Sequence, residues 1–136
     1  MLIVESQVPV TLSPNGCTVI SGRWMDPWSD RVETSPADLD IDHTVPLGNA
    51  WRSGAWAWAP AERIAYANDL VDAEHLIAIP DDENQSKSDD GPEGWRPPAQ
   101  ASWCNYARTW VAIKARWKLT ATEAEWSALV EMTRLC

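Results

Sequence analysis

The spacing of apolar and polar positions changes several times along this chain, and each change marks an element. Residues 2–10 (LIVESQVPV) and 16–21 are rich in β-branched side chains. They predict two strands, separated by the turn residues Ser13, Pro14, Asn15 and Gly16. Residues 22–37 carry no period and predict irregular chain with a turn at Asp26-Pro27. Alternation then sets in at Leu39-Asp-Ile-Asp-His43, which predicts a strand that stops near Pro46. Residues 47–53 predict a short helix ended by Gly54. Pro60 opens a second helix that runs to about Asn68. Residues 75–79 read as another short strand, closed by Pro80. Residues 81–88 predict a short helix whose first turn is acidic, as helix N-termini prefer.

A Pro/Gly loop over residues 91–98 leads into two closing helices. In the first, Trp103, Tyr106, Ala107, Trp110, Ile113 and Trp117 recur at steps of three and four, the period of one buried helix face. The second opens on Thr120-Ala-Thr-Glu123, a capping-box pattern, and carries Trp126, Leu129, Val130 and Met132. Both stripes are expected to face the core. There is no internal repeat and no boundary, so residues 1–136 read as one domain of mixed α+β class.

The chain has 136 residues, enough for one real core. It contains no Phe but 10 Trp, so indole rings must build that core, each with an N–H that wants a partner. No apolar run is long enough to span a membrane. Met1 leads into a segment without the basic and small-residue features of an export signal. The formal charge of −9 argues against binding nucleic acid by bulk charge. Acidic residues crowd into stretches 38–42, 81–83 and 89–93, whereas Arg108, Lys114, Arg116 and Lys118 share one short span. A nuclease that works with a cation needs acidic ligands, so the acidic total does not exclude that class. Cys17, Cys104 and Cys136 lack the CxxC spacing of a zinc knuckle. They allow one disulfide, best placed as Cys104–Cys136 where it ties the last residue to a predicted helix, or three buried thiols in a cytosolic protein.

The chemistry lies in residues 38–47 (DLDIDHTVPL) and 83–90 (ENQSKSDD). Asp42 and His43 are strand neighbours, so their side chains point to opposite faces of a regular strand. They serve one phosphate only if the strand ends or bends there, as Pro46 permits. Asn84, near the start of a helix after the second strand, can bring a carbonyl oxygen to the same space. A carboxylate and an amide oxygen, completed by water and substrate oxygens, form a hard donor set that suits Mg²⁺ or Mn²⁺ better than zinc.

These residues resemble a known family. Asp40-x-Asp42-His43-x-Val45-Pro46, then Asn68, then Asn84-x-x-Lys87-x-Asp89 is similar to the signature of HNH nucleases of the His-Me finger class, including the HNH domain of CRISPR effector nucleases. Residues 17–22 (CTVISG), 40–47 (DIDHTVPL), 50–55 (AWRSGA), 66–70 (YANDL), 84–89 (NQSKSD), 95–98 (WRPP), 103–107 (WCNYA) and Cys136 resemble, in that order, bacterial HNH endonuclease family proteins related to the C-terminal domain of GmrSD-type restriction enzymes. The resemblance covers nearly the whole chain. It implies a ββα-metal core at about residues 38–90, with an N-terminal β segment and two C-terminal helices around it. It implies His43 as general base, Asp42 and Asn84 as ligands of one Mg²⁺ or Mn²⁺, and Asn68 as the residue that orients the His43 loop or ring. Lys87 would touch phosphate or serve structure, and Arg52 is a candidate substrate contact. Relatives begin earlier, with a Cys that could pair with Cys17. The implied reaction is hydrolysis of DNA to a 5′-phosphate and a 3′-hydroxyl, with little sequence specificity because no base-reading element is visible. The implied setting is either export from a longer precursor or the cytoplasm, alone or in a larger restriction or toxin system.

Plainer readings stand beside these. His75 has no motif around it and reads as structural. Asp38 and Asp40 read as a solvated strand edge, Asp40 being the better placed to hydrogen-bond the following loop. Asp89 and Asp90 read as helix-terminating residues, and Arg52, Arg63 and Arg96 singly as surface charges or salt-bridge partners. Asn84 competes as a helix cap. At the level of function, the competitor is a catalytically inactive module on the same fold that binds nucleic acid or protein. A calcium module is weaker, since no EF-hand spacing occurs.

Overall fold

In the computed structural model, which describes residues 1–136, the chain opens with one helical turn, Leu2–Glu5 (α1), and not with the expected strand. A long-range contact explains the override. The Glu5 carboxylate accepts the backbone N–H of Ala78 at 2.9 Å, so a side chain caps a sheet edge that a third strand would otherwise have extended. Thr11–Leu12 (β1) and Val19–Ser21 (β2) pair antiparallel across the predicted turn. The segment expected to be irregular contains a second small hairpin, Trp24–Met25 (β3) with Val32–Glu33 (β4). Asp26 closes its turn by accepting the Trp28 N–H at 3.0 Å and the Ser29 hydroxyl. Trp24 and Trp28 are thereby driven inward, each 1% exposed.

The central hairpin follows the expectation closely. Leu39–His43 (β5) pairs antiparallel with Leu76–Pro80 (β6), Asp42 opposite Ile77 and His43 opposite Leu76. Between the two strands lie Leu47–Arg52 (α2) and Pro60–Ala67 (α3), the second with Pro at its start. Gly54 follows α2 at φ 129°, in the left-handed region that a side chain would strain. Asp81–Lys87 (α4) begins directly after β6 with three acidic residues in its first turn. Arg31 on the β3–β4 hairpin pairs with Asp82 at 2.8 Å and with Glu83 at 3.4 Å, which ties that hairpin to α4.

Trp103–Arg116 (α5) and Glu123–Thr133 (α6) close the fold. Their shared face joins Ile77, Ile79, Val45, Tyr66 and Trp28 in a single core of 13 buried residues. Two expectations for α6 are corrected. Its inward stripe is Glu125, Ala128, Leu129 and Met132, at helical spacing. Trp126 falls one residue off that stripe and is 56% exposed, and Val130 is 40% exposed. The cap is Thr122, whose hydroxyl accepts the Glu125 N–H at 3.1 Å, two residues later than the capping box placed it. Glu125 is drawn inward because its carboxylate accepts both the Trp110 indole N–H and the Lys114 ammonium at 2.6 Å. Trp24 and Trp103 also find acceptors for their N–H groups, on Leu2 and Pro97. Trp28 and Trp117 do not.

Cys104 and Cys136 form a disulfide with a Cα–Cα distance of 5.2 Å, fastening the last residue to α5, and Cys17 is exposed and free. Reduction, or Cys136→Ser, is expected to lower the unfolding free energy by about 2–4 kcal/mol. Urea titration with and without reductant checks this, and matching midpoints would contradict it. No helix is long and apolar enough to cross a membrane.

Candidate active site at the β5–β6 hairpin

Strand alternation in β5 sends Asp40 and Asp42 toward α4 and His43 toward the other side. On the α4 side, Asp40 accepts the Asn84 side-chain N–H at 3.0 Å. One turn along, the Lys87 ammonium donates to both Asp42 oxygens, at 2.9 and 2.7 Å, and to the His43 carbonyl at 2.8 Å. All three ammonium protons are therefore used. Lys87 is 0% exposed and Asp42 is 4% exposed. Burial pushes the Asp42 carboxyl up and the Lys87 ammonium down, and each opposes the other's shift through its own charge. Lys87 thus sits inside the fold, where it stitches α4 to the end of β5. Asn84 is four residues into α4, whose N-cap is Pro80, so the plain capping role does not apply.

The opposite side holds His43. Its Nε2 lies 3.0 Å from the Ala67 carbonyl oxygen at the end of α3. A carbonyl only accepts, so Nε2 carries the proton and Nδ1 is left as the basic nitrogen. Nδ1 has no hydrogen-bond partner in the protein, and His43 is only partly buried. The ring stacks on Tyr66 with centroids 6.1 Å apart and 8° between planes, and meets His75 edge-on at 5.7 Å. Burial holds the His43 imidazole below its ordinary value, which keeps the ring neutral near pH 7.

The structure therefore brings together Asp40, Asp42, Asn84 and Lys87 on one side of the hairpin end, with His43 on the other. Asn68 makes no hydrogen bond to His43. Its exposed side chain donates to the Ile64 carbonyl at 2.9 Å, and the preceding residue's backbone carbonyl fixes the ring instead. Arg52 is paired with Asp89, so Asp89 anchors α2 and does not merely end α4. Arg63 donates to the Trp58 carbonyl, and Arg96 pairs with Glu131 at 2.9 Å. Asp40 bonds α4 and not the loop after β5.

His75, read as structural, is fully buried directly beneath His43, with its Nε2 2.8 Å from the Tyr66 carbonyl. Its Nδ1 is buried without a partner. Counting register would have found this neighbour, because a strand ending at His43 and paired with one starting at Leu76 puts His75 at the same end. Burial lowers the His75 imidazole from its usual 6.5. An unfolded chain takes up that proton first, so stability is full above that pH and falls as the pH drops through 6.5 and below. His43, also lowered, adds the same sign. Urea midpoints at about pH 7.5 and about pH 5.5 are expected to show this loss. The slope should flatten in His75→Gln, and an unchanged slope would contradict the assignment.

The donor set fits a hard divalent cation in kind. Both Asp42 oxygens already accept from Lys87, so a cation would reach them only beside that ammonium or in its place. Asp40 accepts from the Asn84 nitrogen through one oxygen, and the Asn84 amide oxygen makes no hydrogen bond in the protein. No group of three or more His, Cys, Asp or Glu side chains is placed to hold a metal, so amide, water and substrate oxygens would complete the shell. The charge on Asp42 is meanwhile balanced by Lys87.

Comparison with known proteins gives the family. Residues 9–132 match the model of the C-terminal domain of GmrSD restriction endonucleases, and the chain belongs to that family, which implies an HNH-like fold. A protein of Arthroderma benhamiae named "Uncharacterized secreted protein" is 47% identical over 120 residues, covering 88% of this chain and 58% of that relative's length. The chain thus spans little more than half of that relative. No solved structure matches.

Proposed function

We propose that this protein is an endonuclease that hydrolyses DNA phosphodiester bonds with His43 as general base and one Mg²⁺ or Mn²⁺ held by Asp42 and Asn84. The observation that carries the reading is the fixed tautomer of His43. The Ala67 carbonyl accepts a hydrogen bond from the Nε2–H, so Nδ1 is left as the neutral acceptor at the end of β5. In this mechanism Nδ1 takes a proton from a water molecule as that water attacks phosphorus in line, and the 3′ oxygen departs from the opposite side. The backbone carbonyl keeps the ring oriented and stabilises the imidazolium that forms. His75 and Tyr66 pack behind the ring and keep it from swinging inward. Lys87 pairs with Asp42 and keeps α4, with Asn84, close to the strand end. Because Asp42 and His43 leave β5 on opposite sides, this mechanism requires the scissile phosphate to lie across the end of that strand. A bound divalent ion supplies positive charge for the phosphate and the departing oxygen.

Departure of the 3′ oxygen predicts the product ends. An end-labelled DNA oligonucleotide is expected to yield 5′-phosphate and 3′-hydroxyl termini, readable by phosphatase and ligase treatment. Products ending in 3′-phosphate would overturn the mechanism. The Asp42–Lys87 pairing favours a second reading, a silent nucleic-acid or protein interaction module, because the carboxylate already has an internal cation. A relative named as secreted, together with a disulfide that suits an oxidising compartment, supports action outside the cytoplasm.

A further inference from the structure

We propose that the cavity between α2 and α3 binds an unpaired nucleobase of the strand being cut, which makes single-stranded or locally opened DNA the preferred substrate. This rests on the endonuclease reading above and adds the substrate class to it. The cavity has a volume of about 400 Å³, within the range of small-molecule sites. Its walls are apolar and aromatic, with Leu47 and Trp51 from α2, Ile64 from α3, and Trp58 from the connection. Trp51 is 51% exposed and Ile64 64% exposed, so flat apolar surface is left open to water here.

Charge points to the occupant. The protein carries −9 overall, yet the only charged residue lining this cavity is Arg63. Its guanidinium lies 5.6 Å from the centroid of the Trp51 ring and is anchored by a hydrogen bond to the Trp58 carbonyl. The guanidinium lies over one face of the indole, so a base attached to a phosphodiester would stack on the other face or on the guanidinium itself, and every base has a face to stack. Position points the same way. Ala67 lines the cavity, and its carbonyl oxygen holds Nε2 of His43. Tyr66, also a lining residue, stacks on the His43 ring. The cavity and the catalytic imidazole are therefore separated by one residue layer. A duplex keeps its bases stacked inside and cannot fill the cavity without opening.

The test is fluorescence anisotropy of labelled oligodeoxythymidine and of a labelled duplex, with the intact protein in EDTA so that nothing is cut. The single strand is expected to bind more tightly than the duplex. Trp51→Ala is expected to weaken single-strand binding about 5- to 140-fold, the worth of one stacked base. Trp51→Phe retains an aromatic face and should keep most of the affinity. Equal affinity of native protein and Trp51→Ala, as a protein or peptide occupant would give, overturns the proposal, as does tighter binding of the duplex. Cleavage measured in parallel separates the two readings. Native cleavage with Trp51-independent binding removes the base site alone, whereas Trp51-dependent binding by a protein that cuts nothing removes the nuclease reading and leaves the base site standing.

Discussion

His43→Ala is expected to slow phosphodiester cleavage by about 10²–10⁴ while the protein stays folded, the usual worth of a positioned proton acceptor. The ring contributes one hydrogen bond to the fold, to the Ala67 carbonyl, and is only partly buried. Its removal should therefore cost little stability next to the loss of rate. His43→Gln sharpens the result, because its amide nitrogen lies about where Nε2 does and can still donate to that carbonyl, but no basic nitrogen remains. Both variants are expected to lose rate alike at saturating DNA. Single-turnover kinetics, with circular dichroism and thermal melts as controls, checks this. Retention of the native rate by either variant would remove His43 from the mechanism.

The second large effect concerns Lys87. Lys87→Met is expected to cost about 3–5 kcal/mol of stability, because it leaves the Asp42 carboxylate buried without its partner. The ammonium has no exposed surface and spends all its protons on Asp42 and the His43 carbonyl. The double change Asp42→Asn with Lys87→Met removes the charge as well as its partner and should recover part of the loss, which a double-mutant cycle in urea measures. A lysine whose role is to touch substrate phosphate would behave otherwise, with stability unchanged and only DNA affinity reduced. That outcome would return Lys87 to the surface of the site.

The central hairpin was legible because five alternating residues, a proline after each strand and an acidic helix start all speak in local patterns. Helices α5 and α6 were legible from their three- and four-residue apolar steps, and the capping motif was placed two residues early because Thr120 and Thr122 offer the same chemistry. What escaped was decided at a distance. The apolar run at residues 2–4 yields to contacts distant in sequence, Glu5 to Ala78 and Trp24 to Leu2. The β3–β4 hairpin has strands of two residues, too short to carry a period. Lys87 lies in a polar helix, and whether it touches phosphate or serves structure is decided only once Asp42 is placed beside it. The atom that meets the His43 ring is a backbone carbonyl, which no residue identity announces, whereas the role given to Asn68 came from the family resemblance alone.

The most direct test of the account is nicking of supercoiled plasmid by the intact protein in Mg²⁺, in Mn²⁺ and in excess EDTA. Conversion to open-circular and linear DNA with either cation, and none with chelator, is the expected result. Intact supercoiled plasmid under every condition, or nicking that persists in EDTA, would contradict it.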